Sequence, residues 1–113
     1  MSTTVEPKWL SKRTAETRTV EEALRQAGFA QADAYRYNSA SIRVRVIDPR
    51  FQGLSTEARD AMVEPTLDKL PERTQADIVN LYTFSTEEIA NPRTSLKASL
   101  LNMEFEDPSP SML

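Results

Sequence analysis

Arginine and tyrosine are concentrated in a short central part of the sequence. The segment contains Tyr35, Arg36, Tyr37, Arg43, Arg45 and Arg50. Guanidinium groups bind phosphate and aromatic rings stack on bases, so these residue types on one sheet face predict a nucleic-acid-binding surface. An alternative is a solvated sheet face whose arginines pair with acids such as Glu87, Glu88 or those of the C-terminal tail.

Other chemistries are excluded or disfavoured by residue type. The chain has no Cys and no His, which removes thiolate nucleophiles, thiolate metal sites and imidazole acid–base catalysis. The aspartates Asp33, Asp48, Asp60 and Asp77 have no spacing that brings two of them together. We therefore predict a protein that is not an enzyme and has no metal site and no cofactor.

Composition is typical of one small domain. The chain has 113 residues, a formal net charge of −3 and 39% hydrophobic residues, which suits a single core with polar ends. The longest apolar run, Ala61-Met62-Val63, is far too short for a membrane helix. The N-terminus lacks the basic and apolar regions of a secretory signal, so we expect a cytoplasmic protein without a membrane segment.

Hydrophobic periodicity predicts the first elements. A capping box of Thr19 and Glu22 begins a helix over Val20–Ala27, which Gly28 ends. A hairpin follows from Asp33, and its second strand alternates apolar and basic residues over Ile42–Val46. Ile42, Val44 and Val46 are expected to face the core, with Arg43 and Arg45 on the opposite face.

The second half predicts a helix, a strand and a helix. Ser55 is the expected N-cap of a helix that Pro65 kinks or breaks. Residues 76–84 form a strand with apolar residues at both parities, so both of its faces are expected to be covered. Ser85 and Glu88 form another capping box, and Pro92 ends that helix. The order α-β-β-α-β-α predicts an α/β protein of the two-layer α+β type, with a mixed three-stranded sheet.

The predicted domain covers residues 19–93. Residues 1–18 are expected to form a flexible arm and residues 94–113 a partly disordered tail. The tail contains a short apolar segment whose Leu101, Met103 and Phe105 are candidates for docking a partner. We also predict that this segment packs back on the sheet in the free protein, where it covers the exposed face of the last strand and competes with the partner for that surface.

Residues 42–88 resemble the BolA family, small α/β proteins whose fold is related to KH domains. The matching features are the strand Val44–Asp48, the Phe51-Gln52-Gly53 turn, Arg59 followed by Met62-Val63, and the strand that ends at Phe84-Ser85. The resemblance implies a regulator or adaptor that pairs with a monothiol glutaredoxin around a [2Fe–2S] cluster. A KH-like nucleic-acid-binding module that uses Arg36, Arg43, Arg45, Arg50 and Arg59 is the alternative.

The family's two histidines are replaced in this sequence. Asp60 follows the helix arginine, and Asp77 stands near the start of the last strand. A carboxylate is a hard oxygen ligand that suits an iron–sulfur cluster poorly. We therefore expect protein contacts without cluster ligation.

Overall fold

The computed structural model describes residues 6–111. This part of the chain contains five helices, three strands and three short 3₁₀ turns. The 3₁₀ turns are Lys8–Lys12, Pro49–Phe51 and Pro92–Thr94. The helices are α1 Ala15–Gln26, α2 Thr56–Leu67, α3 Glu72–Asp77, α4 Thr86–Ala90 and α5 Leu96–Glu106, and the strands are β1 Gln31–Asn38, β2 Ser41–Ile47 and β3 Ile78–Phe84. Within residues 6–111, no helix is long and apolar enough to cross a membrane.

The predicted α+β fold with a mixed sheet is confirmed. Strand order is β1-β2-β3, with β1 antiparallel and β3 parallel to the central strand β2. The parallel pair is joined through α2 and α3, as a crossover between parallel strands requires. A register shift lies between Ile42 and Arg43, so Val79 has no partner on β2.

One face of the sheet packs on α1 and α2. Ile42, Val44 and Val46 of β2 are fully buried there, as the alternation predicts. They pack with Leu24 of α1 and Val63 of α2. This face holds the larger of the two apolar clusters.

The opposite face packs on α5 and on the N-terminal 3₁₀ turn. Phe105 of α5 is fully buried, and its ring centre lies 4.8 Å from that of Tyr35 and 5.5 Å from that of Tyr82. Trp9 completes the cluster, with its ring centre 5.4 Å from that of Phe105. The expectation that the tail packs back on the sheet is confirmed, although it does so as a helix.

The ends of the domain differ from the predicted boundaries. Helix α1 begins at Ala15, because Thr14 and Thr17 form a reciprocal capping box upstream of the predicted Thr19. Trp9 is buried, so the described part of the predicted arm, residues 6–18, contributes to the core. Residues 1–5 and 112–113 lie outside the described part of the chain. The tail, predicted to be partly disordered, forms α5 over most of its length.

Two elements in the second half differ from the predicted ones. Pro65 does not break α2, which continues to Leu67, and the backbone bond from Asp68 N–H to Glu64 C=O spans the proline at 2.9 Å. Proline removes one hydrogen bond, and this close to the helix end the loss is confined to the last turn. Residues 72–77 form α3, so β3 begins at Ile78 rather than at Ala76.

Phe105 and Leu100 of α5 provide a matched pair of variants. Phe105→Ala should lower the free energy of unfolding by about 3–5 kcal/mol, because it empties the centre of the aromatic cluster. Leu100→Ala, on the exposed side of the same helix, should change it by less than about 0.5 kcal/mol. Urea denaturation measures both values, and equal effects would contradict this packing of α5.

Candidate functional site

The predicted arginine surface includes Arg43 and Arg45 of the central strand β2. Arg43 and Arg45 point away from the α1–α2 core, as the alternation predicts. Their side chains are nevertheless buried, with relative exposures of only 9% and 4%. The expectation of an exposed arginine face is therefore wrong at these two positions, because α5 covers this part of the sheet.

Arg45 lies between two groups of acceptors. Its Nε and Nη2 donate to the Asp33 carboxylate on β1 at 3.1 and 2.8 Å. Its Nη1 donates to Asn102 at 2.7 Å and to Glu106 at 3.1 Å, both on α5. Hydrogen bonds from a charged donor are strong when they are buried. Arg45 of β2 therefore connects helix α5 to strand β1.

Arg43 makes a second connection to α5. Its Nη1 donates to Glu104 Oε2 at 2.8 Å and to the Tyr35 hydroxyl at 3.3 Å. Its guanidinium lies 3.7 Å from the ring centre of Tyr37, a cation–π contact. Burial raises the pKa of Tyr35 to about 12, so this phenol stays neutral and accepts the bond.

Glu104 is held in its charged form. The Ser109 hydroxyl and backbone N–H donate to its carboxylate at 2.6 and 3.0 Å. These bonds, followed by the bond from Arg43, lower the pKa of Glu104 to about 2. The acid is consequently ionised over the physiological range and neutralises Arg43.

The other three candidate arginines are also paired and lie elsewhere. Arg36 contacts Glu16 and Asp77, Arg50 contacts Asp48, and Arg59 contacts Glu88. Arg50 lies in the 3₁₀ turn after β2 and Arg59 lies on α2, so the five arginines do not share one face of the sheet. This arrangement agrees with the alternative prediction, in which the arginines pair with acids. Acids of the tail pair with Arg43 and Arg45, and Glu88 pairs with Arg59.

The two aspartates that the resemblance to the BolA family aligns with histidines do not fit an iron–sulfur cluster. Asp77 is engaged by Arg36, whose Nη2 lies 2.8 Å from its Oδ2. Asp60 lies on α2, where burial and the nearby Glu64 raise its pKa. Within residues 6–111, no group of three or more acids is placed to hold a metal ion. The donor atoms are hard oxygens, and one of the two carboxylates already has a cationic partner.

The tail residues predicted to dock a partner divide between the two sides of α5. Phe105 is fully buried in the core, which corrects its assignment as a docking residue. Met103 is 64% exposed and Leu101 is 40% exposed. The assignment of Phe105 is wrong because the tail is helical rather than irregular. Met103, two residues before Phe105, lies on the opposite side of α5, whereas Leu101, one turn before Phe105, lies toward the covered side and is only partly exposed.

The outer side of α5 carries an apolar row that sequence analysis missed. Leu96, Leu100 and Met103 are spaced i, i+4, i+7 and are 74%, 56% and 64% exposed. We call these three residues the α5 stripe. The helical spacing in the sequence could have revealed it, once residues 96–106 were recognised as a helix.

Comparisons of the chain with protein-family models, with curated proteins and with solved structures gave no match.

The charged contacts of Glu104 and Asp48 predict a loss of stability in acid. Contacts with Arg50 lower the pKa of Asp48 to about 2. A carboxyl group with a lowered pKa in the folded state stabilises the fold above its unfolded pKa, and this contribution is lost as pH falls through the folded value. The free energy of unfolding should therefore decrease between about pH 5 and pH 2.

Glu104→Gln should remove the part of this decrease that belongs to Glu104. The variant is expected to be less stable than the wild type at pH 7 and to have a flatter profile between about pH 5 and pH 2. Glu57→Gln, at an exposed position of α2, is the control and should keep the wild-type profile. Urea denaturation at a series of pH values measures both, and a full wild-type slope in Glu104→Gln would refute the assignment.

Proposed function

We propose that this protein is a noncatalytic, BolA-like regulator or adaptor of the cytoplasm that acts through protein contacts and does not ligate an iron–sulfur cluster. The α5 stripe is the observation that carries the proposal. Three large apolar side chains stand on one side of a helix and remain exposed. A contiguous exposed apolar row marks an interaction surface more often than a solvated one.

The rigid attachment of α5 supports this function. Phe105 is buried beneath the helix, and Glu104 and Glu106 on either side of it pair with Arg43 and Arg45. The stripe is therefore presented on a helix whose position is already determined. A preorganised surface loses less conformational entropy on binding, so it binds more tightly than a flexible tail of the same sequence.

The partner is expected to offer an apolar groove. Helix-in-groove recognition reads side chains at i, i+4 and i+7, which is the spacing of the stripe. A shallow depression beside the stripe is lined by Leu100, Met103 and the acids Glu104, Glu106 and Asp107. These acids already pair with Arg43, Arg45 and Lys8, so the apolar row rather than charge is expected to determine recognition.

The nucleic-acid alternative receives no support from the arginine positions. Phosphate binding requires guanidinium groups that are free and share a surface. The two arginines of β2 are buried against acids, and the other three lie on separate parts of the domain.

Charge substitutions on the stripe test the proposed contact. The double variant Leu100→Glu, Met103→Glu should no longer retain the partner from an extract of the native cells. Binding would bury two unpaired carboxylates in the apolar groove of the partner, and burying an unpaired charge is costly. The melting temperature should stay near that of the wild type, since both positions are exposed. Quantitative mass spectrometry of the retained proteins provides the measurement.

Leu54→Glu is the control for that experiment. Leu54 is another exposed apolar residue and precedes α2, outside the stripe. It should retain the same proteins as the wild type. Equal protein profiles for the wild type and the stripe variant would show that the stripe is not the docking surface.

A monothiol glutaredoxin loaded with its cluster tests the absence of ligation. Adding this protein should leave the visible circular dichroism of the cluster unchanged, because Asp60 and Asp77 are poor ligands for it. A change in the spectrum that disappears in Asp60→Asn or Asp77→Asn would contradict the proposal. Glu57→Gln is the matched control at an exposed acid elsewhere on α2.

A further inference from the structure

The two edges of the sheet are protected very differently. At the outer edge of β1, the buried Glu21 of α1 accepts the Ala34 N–H at 2.9 Å. Arg25 donates to the Ala32 carbonyl at 3.2 Å on the same edge. Helix α1 thus satisfies backbone groups that would otherwise be free to pair with another strand.

The outer edge of β3 is covered only near its end. The Phe84 carbonyl accepts from Asp48 on the side of β2, so the preceding carbonyl, that of Thr83, points outward because peptide groups alternate along a strand. Arg59 donates to this Thr83 carbonyl at 3.1 Å. The sheet places no strand beyond β3 within residues 6–111. Residues 78–81 therefore form an open edge, where Val79 is 57% exposed.

An acidic cleft runs beside this open edge. It has a volume of about 420 Å³ and lies between α2 and the first half of β3. Three acids of one helix side, Asp60, Glu64 and Asp68, line it together with Ile78–Leu81. In the described part of the chain none of these acids has an ion-pair partner, in contrast to the acids that contact arginines.

Asp60 is incompletely satisfied at this position. Its Oδ1 is buried from solvent and has no hydrogen-bond partner in the structure. Burial and the charge of Glu64 raise its pKa, so the ionised form lacks compensation. A cationic group placed in the cleft would supply that compensation.

The distance between successive acids along α2 matches the distance between alternate residues of an extended strand. Residues i and i+4 of a helix are about 6 Å apart along its axis. Alternate residues of a strand are about 6.6 Å apart and point to the same side. A strand alongside β3 would therefore place every second side chain opposite successive acids of the cleft.

We propose that the open edge of β3 binds an extended basic segment of a partner protein as a fourth strand, with Lys or Arg at alternate positions facing Asp60, Glu64 and Asp68. Backbone pairing to β3 supplies affinity, and the acidic cleft supplies the preference for basic side chains. This surface lies on the α2 side of the sheet, so it is separate from the α5 stripe and would be able to engage a partner independently of it.

A second copy of this chain is disfavoured as the occupant by charge. Antiparallel pairing of two β3 edges in a continuous sheet keeps both α2 helices on the same face. The two acidic rows would then face each other across the new interface. Like charges at that distance oppose association, whereas a basic segment neutralises the row.

The test uses the full-length protein and three peptides. The probe is the acetylated, amidated heptapeptide of alternating Lys and Thr that begins and ends with Lys. The first control replaces every Lys by Glu, and the second keeps the Lys–Thr sequence but is built from N-methyl amino acids that cannot donate backbone hydrogen bonds. Amide NMR titration locates binding, and fluorescence anisotropy measures the dissociation constants.

The Lys–Thr peptide should shift the amide signals of residues 79–83, and both control peptides should leave them unchanged. Glu64→Lys should weaken binding at least about tenfold, and Glu22→Lys, a charge reversal on an exposed site of α1, less than about twofold. Raising the salt concentration should also weaken binding.

Three outcomes would overturn the proposal. These are no shift at about 1 mM peptide, equal binding of the N-methyl peptide, and equal affinities of the Glu64→Lys and Glu22→Lys variants. Sedimentation of the protein alone tests the alternative occupant, and a dimer abolished by Val79→Pro, which removes a backbone donor from β3, would assign the edge to a second copy instead. The α5 variants should bind the peptide normally, which separates this test from that of the adaptor function.

Discussion

The fold depends on the way in which two arginines of the central strand are buried. Strand β2 has neighbours on both edges and helices on both faces, so its side chains from Ile42 to Ile47 are all buried. Ile42, Val44 and Val46 fill the α1–α2 side, which leaves Arg43 and Arg45 on the other side with Ile47. A buried charge is tolerated only with close counter-charges, and α5 brings Glu104 and Glu106 to these positions.

This arrangement determines where the molecule can interact. The inward side of α5 carries Phe105, Ala98 and the two ion pairs, whereas the three residues of the α5 stripe face outward. On the opposite face, α1 lies over β1 and uses Glu21 to close that edge, while α2 leaves the first half of β3 uncovered. The two candidate surfaces consequently lie on opposite sides of one sheet.

Much of the fold could be predicted from local pattern, whereas the surroundings of its charges could not. The strict alternation of Ile42–Val46 places its side chains correctly, and the Ser85–Glu88 capping box marks the start of α4. Burial of Arg43 and Arg45 depends on residues about 60 positions away, and no local period contains that information. The resemblance of Arg59 to a family motif gave no sign of its pairing with Glu88 or Thr83.

The long sequence separation between Arg43 and Glu104 has a consequence for synthesis on the ribosome. The two residues are 61 positions apart, and translation adds about 5–20 residues per second, so strand β2 exists for about 3–12 s before Glu104 is made. During that interval Arg45 has Asp33 of β1 as a counter-charge, but the aromatic side of the nascent sheet lacks its helical cover and the carboxylates of α5. Completion of this domain is therefore a late event in the synthesis of the chain, and until α5 emerges the sheet exposes apolar surface of the kind that chaperones bind.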